Sequence, residues 1–349
     1  MRAWVLHGMG DLRLEEVSEP ALTDNEVLIR IMAAGICGSD IPRIYRGGAY
    51  FYPLIPGHEF AGVAVKAGAA SGRWIGRRVG IFPLIPCENC EPCRKKQYEM
   101  CRHYSYLGSR RDGGFAEYAA VPAWNLIELP ENAAFEEAAM LEPMSVAVHA
   151  VRRIAPASSA AAAVCGLGTI GLSVLMFLME AGIERIFAIG NRKTQLEAAV
   201  RLGIPRECCC DSTEQDAVQW LLACTGGAGA EVFFECVGKN ETLVQAVEGT
   251  APGGKILAAG NPYSDMQLKK DIYWKILRNQ LTVTGTWNSS FWHSEEDDWH
   301  YVLQRLADRA IAPAELITHR LSFEELDRGL EIMRDKREEY IKIMGVRRT

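Results

Sequence analysis

Blocks of apolar residues between 159 and 190 follow the order expected of a strand, a turn, a helix and a second strand. Small apolar residues from Ala160 to Cys165 lead into a glycine-rich turn, a long apolar run to residue 178, and then ERIFAIG. Two later blocks, EVFFECVG and GGKILAAG, are typical of buried strands. This pattern predicts an α/β fold with a parallel sheet in this part of the chain.

The turn after the first of these strands has the spacing G-x-G-x-x-G. It contains Gly166, Gly168 and Gly171, with Thr169 and Ile170 at the start of the predicted helix. Such glycines let the backbone approach a pyrophosphate, whose charge the helix N-terminus stabilises. The strand–turn–helix–strand context favours dinucleotide binding, and the alternative is a glycine-rich corner in an ordinary α/β core.

Composition narrows the class of protein further. The chain has 349 residues, 48% of them hydrophobic, and a formal net charge of −6. These values are typical of a globular enzyme, with two domains as the default, and they disfavour a nucleic-acid partner. No apolar run reaches the ~18 residues that span a membrane, and residues 1–17 lack the features of a secretory signal. We therefore expect a cytoplasmic protein with no membrane partner.

Four cysteines stand in the short stretch CENCEPCRKKQYEMC. They are Cys87, Cys90, Cys93 and Cys101. Disulfides rarely persist in a reducing compartment, and the eleven cysteines of the chain cannot all pair. Four thiolates suit a closed tetrahedral Zn²⁺ site, so we predict a structural zinc here.

A second possible metal site uses residues that lie far apart in sequence. Its candidates are Cys37, His58, Glu59 and Glu142. A thiolate, an imidazole and a carboxylate would leave one zinc position open, as in catalytic sites. Each residue alone has an ordinary alternative role in the core, in hydrogen bonding or in capping a helix.

The end of the second predicted strand bears on cofactor choice. Gly190 stands where an acidic residue would take the ribose hydroxyls of NAD, and Asn191, Arg192 and Lys193 follow. A site that lacks this carboxylate and carries a guanidinium favours binding of the 2′-phosphate of NADP. We expect NADP(H) to be preferred, with NAD(H) possible, and the alternative is a solvated basic helix start.

Several motifs together resemble one family. Taken together in their positions along this chain, the motifs GHEFAG, ICGSD, the four-cysteine loop, GGFAEY, LEP and GLGTIG are similar to those of zinc-containing medium-chain alcohol and polyol dehydrogenases. The segments GSDIPRI, GAYFYP and YLGSRRDGGFAEY resemble the branch that contains galactitol-1-phosphate 5-dehydrogenase and sorbitol dehydrogenase.

The resemblance implies a domain organisation. Residues 1–145 would form a GroES-like, β-rich catalytic domain that carries both zinc ions. Residues 146–285 would form a Rossmann domain, and residues 286–349 would complete the catalytic domain. The active site would then lie in the cleft between the domains, and residues 281–287 would pair two subunits into a homodimer, with a tetramer possible.

The resemblance also implies residue roles. Cys37, His58 and Glu142 would bind the catalytic zinc, Glu59 would be a close or exchanging ligand, and Asp40 would orient His58. Ser39 would pass the substrate proton toward solvent. Many relatives have a histidine shortly after this serine, whereas this chain has Ile41 and Pro42, so the later relay would need water or another group.

The substrate is the least defined part of the prediction. Arg43, Arg110 and Arg111 lie on segments expected near the substrate, and guanidinium groups suit phosphate monoesters; Asn288 is a further candidate. The alternative is that these arginines pair with carboxylates. We expect an enzyme that transfers hydride between a small polyol or polyol phosphate and the nicotinamide, and the alternatives are another secondary alcohol with NAD or a catalytically silent zinc and dinucleotide binder.

Overall fold

A computed structural model describes residues 1–262 and 264–347 of the chain. The chain forms two compact units. The first contains Met1–Pro143 and Ser290–Thr349, and the second contains Met144–Ser289.

The strands are distributed over both units. In chain order they are β1 (Arg2–Gly8), β2 (Asp11–Glu16), β3 (Glu26–Ile36), β4 (Glu59–Ala67), β5 (Arg78–Ile81), β6 (Leu84–Ile85), β7 (Ser105–Tyr106), β8 (Tyr118–Pro122), β9 (Leu126–Glu128), β10 (Ala161–Cys165), β11 (Arg185–Gly190), β12 (Cys209–Asp211), β13 (Ala230–Glu235), β14 (Thr250–Ala258), β15 (Thr282–Gly285), β16 (Ile317–Leu321) and β17 (Lys342–Val346).

The helices alternate with strands mainly in the second unit. They are α1 (Asp40–Tyr45), α2 (Glu91–Arg94), α3 (Phe135–Ala139), α4 (Leu141–Ile154), α5 (Thr169–Glu180), α6 (Lys193–Leu202), α7 (Ala217–Cys224), α8 (Asn240–Gly249), α9 (Lys270–Arg278), α10 (Asp298–Ala307) and α11 (Leu326–Asp335). Across the described part of the chain, none has the length and apolar character needed to cross a bilayer.

The first unit is built around strand β3. Its sheet has the order β16-β17-β3-β4-β5-β9, and β8 also pairs with β3. Ten of the eleven β3 residues are buried, because neighbouring strands and apolar side chains cover both faces. Strand β17 pairs antiparallel with β3, so a segment from the C-terminal end of the chain lies beside the residues that precede Cys37.

The second unit contains a six-stranded sheet in which all the neighbours are parallel. Its order is β12-β11-β10-β13-β14-β15. Numbered from β10 as the first strand, this is the 3-2-1-4-5-6 order of doubly wound dinucleotide-binding folds. The predicted α/β fold class with a Rossmann sheet is therefore confirmed.

Three glycines fix the loop around residues 107–114 against the turn that precedes His58. A Cβ atom at Gly108 or Gly113 would overlap the backbone carbonyl of Gly57. Hydrogen bonds from Gly113 N to Ile55 O (2.8 Å) and from Gly114 N to Gly57 O (2.8 Å) join the two segments. Only residues without a side chain allow this close approach.

We predict that Gly108→Ala destabilises the protein more than Gly10→Ala does. Both glycines have positive φ, +76° and +79°, but only the Gly108 substitution creates an overlap. The shared conformational penalty is about 1–2 kcal/mol, and overpacking adds about 1–3 kcal/mol at Gly108. Thermal unfolding of both variants measures the difference, and equal losses in Tm would contradict the close-approach explanation.

Candidate active site

The four cysteines of residues 87–101 converge on one point. Their Sγ atoms all lie within 4.8 Å of one another, with distances of 3.4 Å for Cys90–Cys93, 3.9 Å for Cys90–Cys101 and 4.0 Å for Cys87–Cys93. Tetrahedral zinc with bonds near 2.3 Å requires sulfur–sulfur distances of about 3.8 Å. The spacing therefore fits a zinc tetrahedron, and all four cysteines are free thiols.

The surroundings of this cluster lower the pKa of two cysteines, Cys87 and Cys90, and raise the pKa of the other two. Backbone N–H groups of Arg102 and Cys93 lower the pKa of Cys90 to about 6. Burial and the neighbouring sulfur atoms raise the pKa of Cys93 to about 12. A cation is needed to deprotonate all four thiols together, which is how metal binding couples to proton release.

A second group of possible ligands combines Cys37, His58 and Glu59. One ligand atom from each lies within 4.8 Å of the others, and His58 and Glu59 are buried. Cys37 directly follows β3, and Glu59 begins β4. The antiparallel pairing of Gly35 with Glu59 brings the two segments together. Thiol, imidazole and carboxylate are all zinc ligands, so this donor set fits that ion.

Asp40 is the charged partner of His58. Its Oδ1 atom lies 3.5 Å from His58 Nδ1 and accepts a 2.8 Å hydrogen bond from Arg43 Nη1, while Oδ2 accepts one from Cys37 N at 3.0 Å. Burial opposes a charged imidazole, but Asp40 and Cys37 outweigh it and raise the pKa of His58 well above its usual value. Burial likewise opposes the Asp40 carboxylate, yet His58 and Arg43 hold the pKa of Asp40 below its usual value.

Lys342 is part of this site, although the sequence reasoning missed it. Its Nζ atom forms an ion pair with Glu59 Oε2 and donates a 3.1 Å hydrogen bond to Ile36 O. Both charged side chains are 2% exposed, so each neutralises the charge of the other where solvent cannot. The available signal was a lysine among the apolar residues of the segment IKIMGV, where a buried charge needs a partner.

Glu142 lies beside the same group, near enough for its charge to interact with those of His58 and Glu59. It is buried at the start of α4, and its Oε1 atom accepts a 3.2 Å hydrogen bond from Tyr106 Oη. Burial and the charge of Glu59 raise the pKa of Glu142 to about 7, although His58 lowers it. The Tyr106 ring also contacts His58, with 5.7 Å between ring centroids.

Ser39 contacts the thiol of Cys37. Its hydroxyl donates to Cys37 Sγ at 3.3 Å, and its backbone N–H donates to the same atom at 3.5 Å. The hydroxyl of Ser39 is therefore at the edge of the second ligand group.

The four candidate substrate residues have different surroundings. Arg43 is bonded to Asp40, and Arg111 forms an ion pair with the buried Glu26. Arg110 is exposed and lies against two tyrosine rings. Asn288, in the second unit, is buried, and its Oδ1 atom accepts a 2.8 Å hydrogen bond from Ser289 N.

The glycine turn in the second unit has the geometry of a nucleotide-binding loop. Gly168 is the N-cap of α5, and a Cβ atom there would meet nothing within 4 Å. A Cβ atom at Gly171 would overlap Gly166 O, so the helix packs closely on the strand. Open space at the second glycine and close packing at the third are the features that admit a pyrophosphate.

The segment after β11 is exposed to different degrees. Gly190 is buried, and a Cβ atom there would lie 2.8 Å from Leu167 Cδ1. Arg192 is half-buried at the N-cap of α6, whereas Asn191 and Lys193 are exposed. Gly190 therefore has a packing role in addition to any effect on cofactor choice.

Comparison with known proteins identifies the family. Residues 23–131 match the model of the alcohol dehydrogenase GroES-like domain, and residues 169–308 match that of zinc-binding dehydrogenases. Galactitol 1-phosphate 5-dehydrogenase of Escherichia coli K12 is 34% identical over 319 residues, covering 90% of this chain and 91% of its own. The chain belongs to the zinc-containing medium-chain alcohol and polyol dehydrogenases. The predicted enzyme class, an NAD(P)-dependent dehydrogenase, is thereby confirmed.

Solved structures agree over nearly the full chain. The crystal structure of galactitol-1-phosphate dehydrogenase from Escherichia coli has a TM-score of 0.91 at 31% identity and covers 99% of this chain and 100% of its own. A zinc-binding dehydrogenase from Sinorhizobium meliloti 1021 bound to NADP has a TM-score of 0.89 at 25% identity, with 99% of each chain covered. An alcohol dehydrogenase from Escherichia coli CFT073 complexed with NADH has a TM-score of 0.88 at 25% identity and the same coverage.

Proposed function

We propose that this member of the family transfers hydride between a secondary alcohol of the polyol class and NADP(H), using one catalytic and one structural zinc. The observation that carries the proposal is the convergence of Cys37, His58 and Glu59 within 4.8 Å, separate from the four-cysteine cluster. An incomplete donor set leaves room for a substrate oxygen, whereas four thiolates do not.

Cys37 and His58 would hold the catalytic ion, with Glu59 or Glu142 as the carboxylate ligand. When bound, Zn²⁺ would supply a Lewis acid that polarises the substrate hydroxyl, and the nicotinamide would accept the hydride. Asp40 would keep the imidazole of His58 oriented, since it lies 3.5 Å from Nδ1. Lys342 would compete for Glu59, because it holds that carboxylate in an ion pair.

Ser39 is the residue we assign to proton transfer. Its hydroxyl is a donor and an acceptor, and it lies 3.3 Å from Cys37 Sγ at the edge of the ligand group. It would accept the proton of the substrate hydroxyl and pass it to water, since Ile41 and Pro42 offer no titratable side chain.

The preference for NADP(H) rests on Gly190 and Arg192. Gly190, the last residue of β11, carries no carboxylate to repel a 2′-phosphate, and Arg192 is the N-cap of α6, where the helix N-terminus also favours an anion. Relatives of this fold bind NADP or NADH, so the residues of this corner, and not the fold, must set the preference.

Assembly as a homodimer is supported by the edge of the parallel sheet. Strand β15 is one of the two edge strands, and Val283 is 49% exposed there. The adjoining α9 exposes Tyr273, Trp274 and Leu277. An uncovered strand edge beside exposed apolar side chains suits pairing with a second copy.

The proposed activity is tested with a panel of secondary alcohols and ketones, each assayed with both cofactors by nicotinamide absorbance. We expect turnover of polyols or their phosphates. A protein that holds both zinc ions but turns over no alcohol or ketone would instead be a catalytically silent binder.

Zinc content should distinguish the two proposed sites. Wild-type protein should contain about two zinc ions per chain, and Cys37→Ala should contain about one and be inactive, with its folding largely intact. Cys90→Ser should lose the other ion and unfold at a lower temperature, because the loop depends on its metal. Elemental analysis and thermal unfolding measure both effects, and wild-type protein with less than one zinc in zinc-replete medium would contradict the assignment.

Arg192→Ser should lower the affinity for NADPH about tenfold to a hundredfold and leave NADH binding nearly unchanged, because hydrogen bonds to a charged group are worth about 1.5–3 kcal/mol. Lys193→Ser is the control, since Lys193 is 84% exposed and lies near Glu197. Fluorescence titration measures both affinities.

Gly190→Asp combined with Arg192→Ser should reverse the cofactor preference by restoring ribose recognition. Gly190→Ala is the control for packing, because it adds the contact with Leu167 without adding a charge. Wild-type protein that binds NADH as tightly as NADPH would mean that Arg192 does not contact the cofactor.

Val283→Lys should shift the protein toward a monomer, because a charge on the edge strand opposes sheet pairing. Ile75→Lys is the matched control, since Ile75 is 56% exposed on the first unit. Light scattering coupled to size exclusion measures the mass, and a monomeric wild-type protein at micromolar concentration would contradict the proposed dimer.

A further inference from the structure

Three arginines were candidates for binding the substrate, and they differ in their bonding partners in the structure. Arg43 is bonded to Asp40, and Arg111 is paired with Glu26. Among residues 1–262 and 264–347, no carboxylate forms an ion pair of this kind with Arg110. The positive charge of Arg110 is therefore not neutralised by a carboxylate of the described residues, and an anion from outside the chain can supply that partner.

Two tyrosine rings hold the guanidinium of Arg110 in place. Its Cζ atom lies 4.3 Å from the ring centroid of Tyr50 and 4.4 Å from that of Tyr104. Burial lowers the pKa of Arg110, but hydrogen bonds and charge from Tyr50 and Tyr104 outweigh it and raise that pKa above its usual value. A guanidinium has five N–H donors, so the two tyrosine hydroxyls leave donors for a ligand. A planar cation fixed in this way presents two parallel donors, the arrangement that binds phosphate oxygens.

A series of ring contacts connects Arg110 to the proposed catalytic site. The centroids of Tyr104 and Tyr106 are 6.3 Å apart, and Tyr106 contacts His58 at 5.7 Å and Glu142 at 3.2 Å. The glycine contacts described above also fix the Arg110 loop against the turn that precedes His58. Arg110 therefore has a defined position a few side chains from the ligand group.

We propose that Arg110 is a specificity-determining residue that binds the phosphate monoester of a polyol phosphate while the hydroxyl to be oxidised lies at Cys37 and His58. This inference rests on the proposed dehydrogenase function and adds the class of substrate to it. Tyr104 and Tyr106 lie between Arg110 and His58, so a substrate that contacts both would need a chain of several carbons.

The test compares a hexitol 1-phosphate, the uncharged hexitol and a hexonate as substrates. Variants are Arg110→Gln, Arg110→Lys and the control Arg111→Gln, which removes the same charge from the next residue. Arg110→Gln should lower kcat/KM for the hexitol phosphate about tenfold to a hundredfold, mainly through KM. It should change kcat/KM for the uncharged hexitol less than about threefold. Arg110→Lys should recover part of the loss, because it restores the charge without the planar fork.

Several outcomes would overturn this role for Arg110. They are a wild-type enzyme with no preference for the phosphate, an equal loss for all three substrates in Arg110→Gln, and an equal effect of Arg111→Gln. A larger Arg110 dependence with the hexonate would assign the residue to carboxylates instead. Thermal unfolding of each variant identifies losses caused by misfolding. If Arg110→Gln is misfolded, the substrates are compared with Arg110→Lys instead.

These outcomes are distinct from a failure of the proposed function. Turnover of the uncharged hexitol with no advantage from phosphate would overturn only the role of Arg110. Absence of turnover with every alcohol would overturn the dehydrogenase proposal itself.

Discussion

The need to balance buried charges shapes the first unit of this protein. His58, Asp40, Glu59 and Lys342 are all nearly inaccessible to water. An unpaired charge in such a place costs several kcal/mol, so each has an opposite charge within ion-pairing distance. These pairs link the end of β3, the start of β4 and the C-terminal strand β17. The proposed metal ligands His58 and Glu59 can be buried here because Asp40 and Lys342 balance their charges.

Backbone packing then determines what surrounds the buried group. The close approach of Gly57, Gly108 and Gly113 leaves no room for side chains, so one loop is fixed against the turn before His58. That loop carries Arg110 and lies next to Tyr106, whose hydroxyl bonds to Glu142. Contacts that restrain Arg110 would support the role proposed for it, because a restrained side chain loses less entropy on binding than a mobile one.

How well the sequence predicted each feature depended on how local the feature is. Cys87, Cys90, Cys93 and Cys101 lie within fifteen residues, and the glycine turn lies within six, so spacing alone indicated their geometry. Lys342 was missed because its partner Glu59 is 283 residues away and only the pairing of β17 with β3 joins them. The three arginines were indistinguishable in sequence, since tertiary contacts alone determine which of them has a carboxylate partner.

The most direct test of the account is anomalous diffraction at the zinc edge from crystals of zinc-loaded protein. The account predicts two peaks per chain. One should be surrounded by the four sulfur atoms of residues 87–101 at about 2.3 Å, and the other should lie in contact with Cys37 and His58. A single peak at the four cysteines, with none beside His58, would contradict the central claim that the second group is a catalytic metal site.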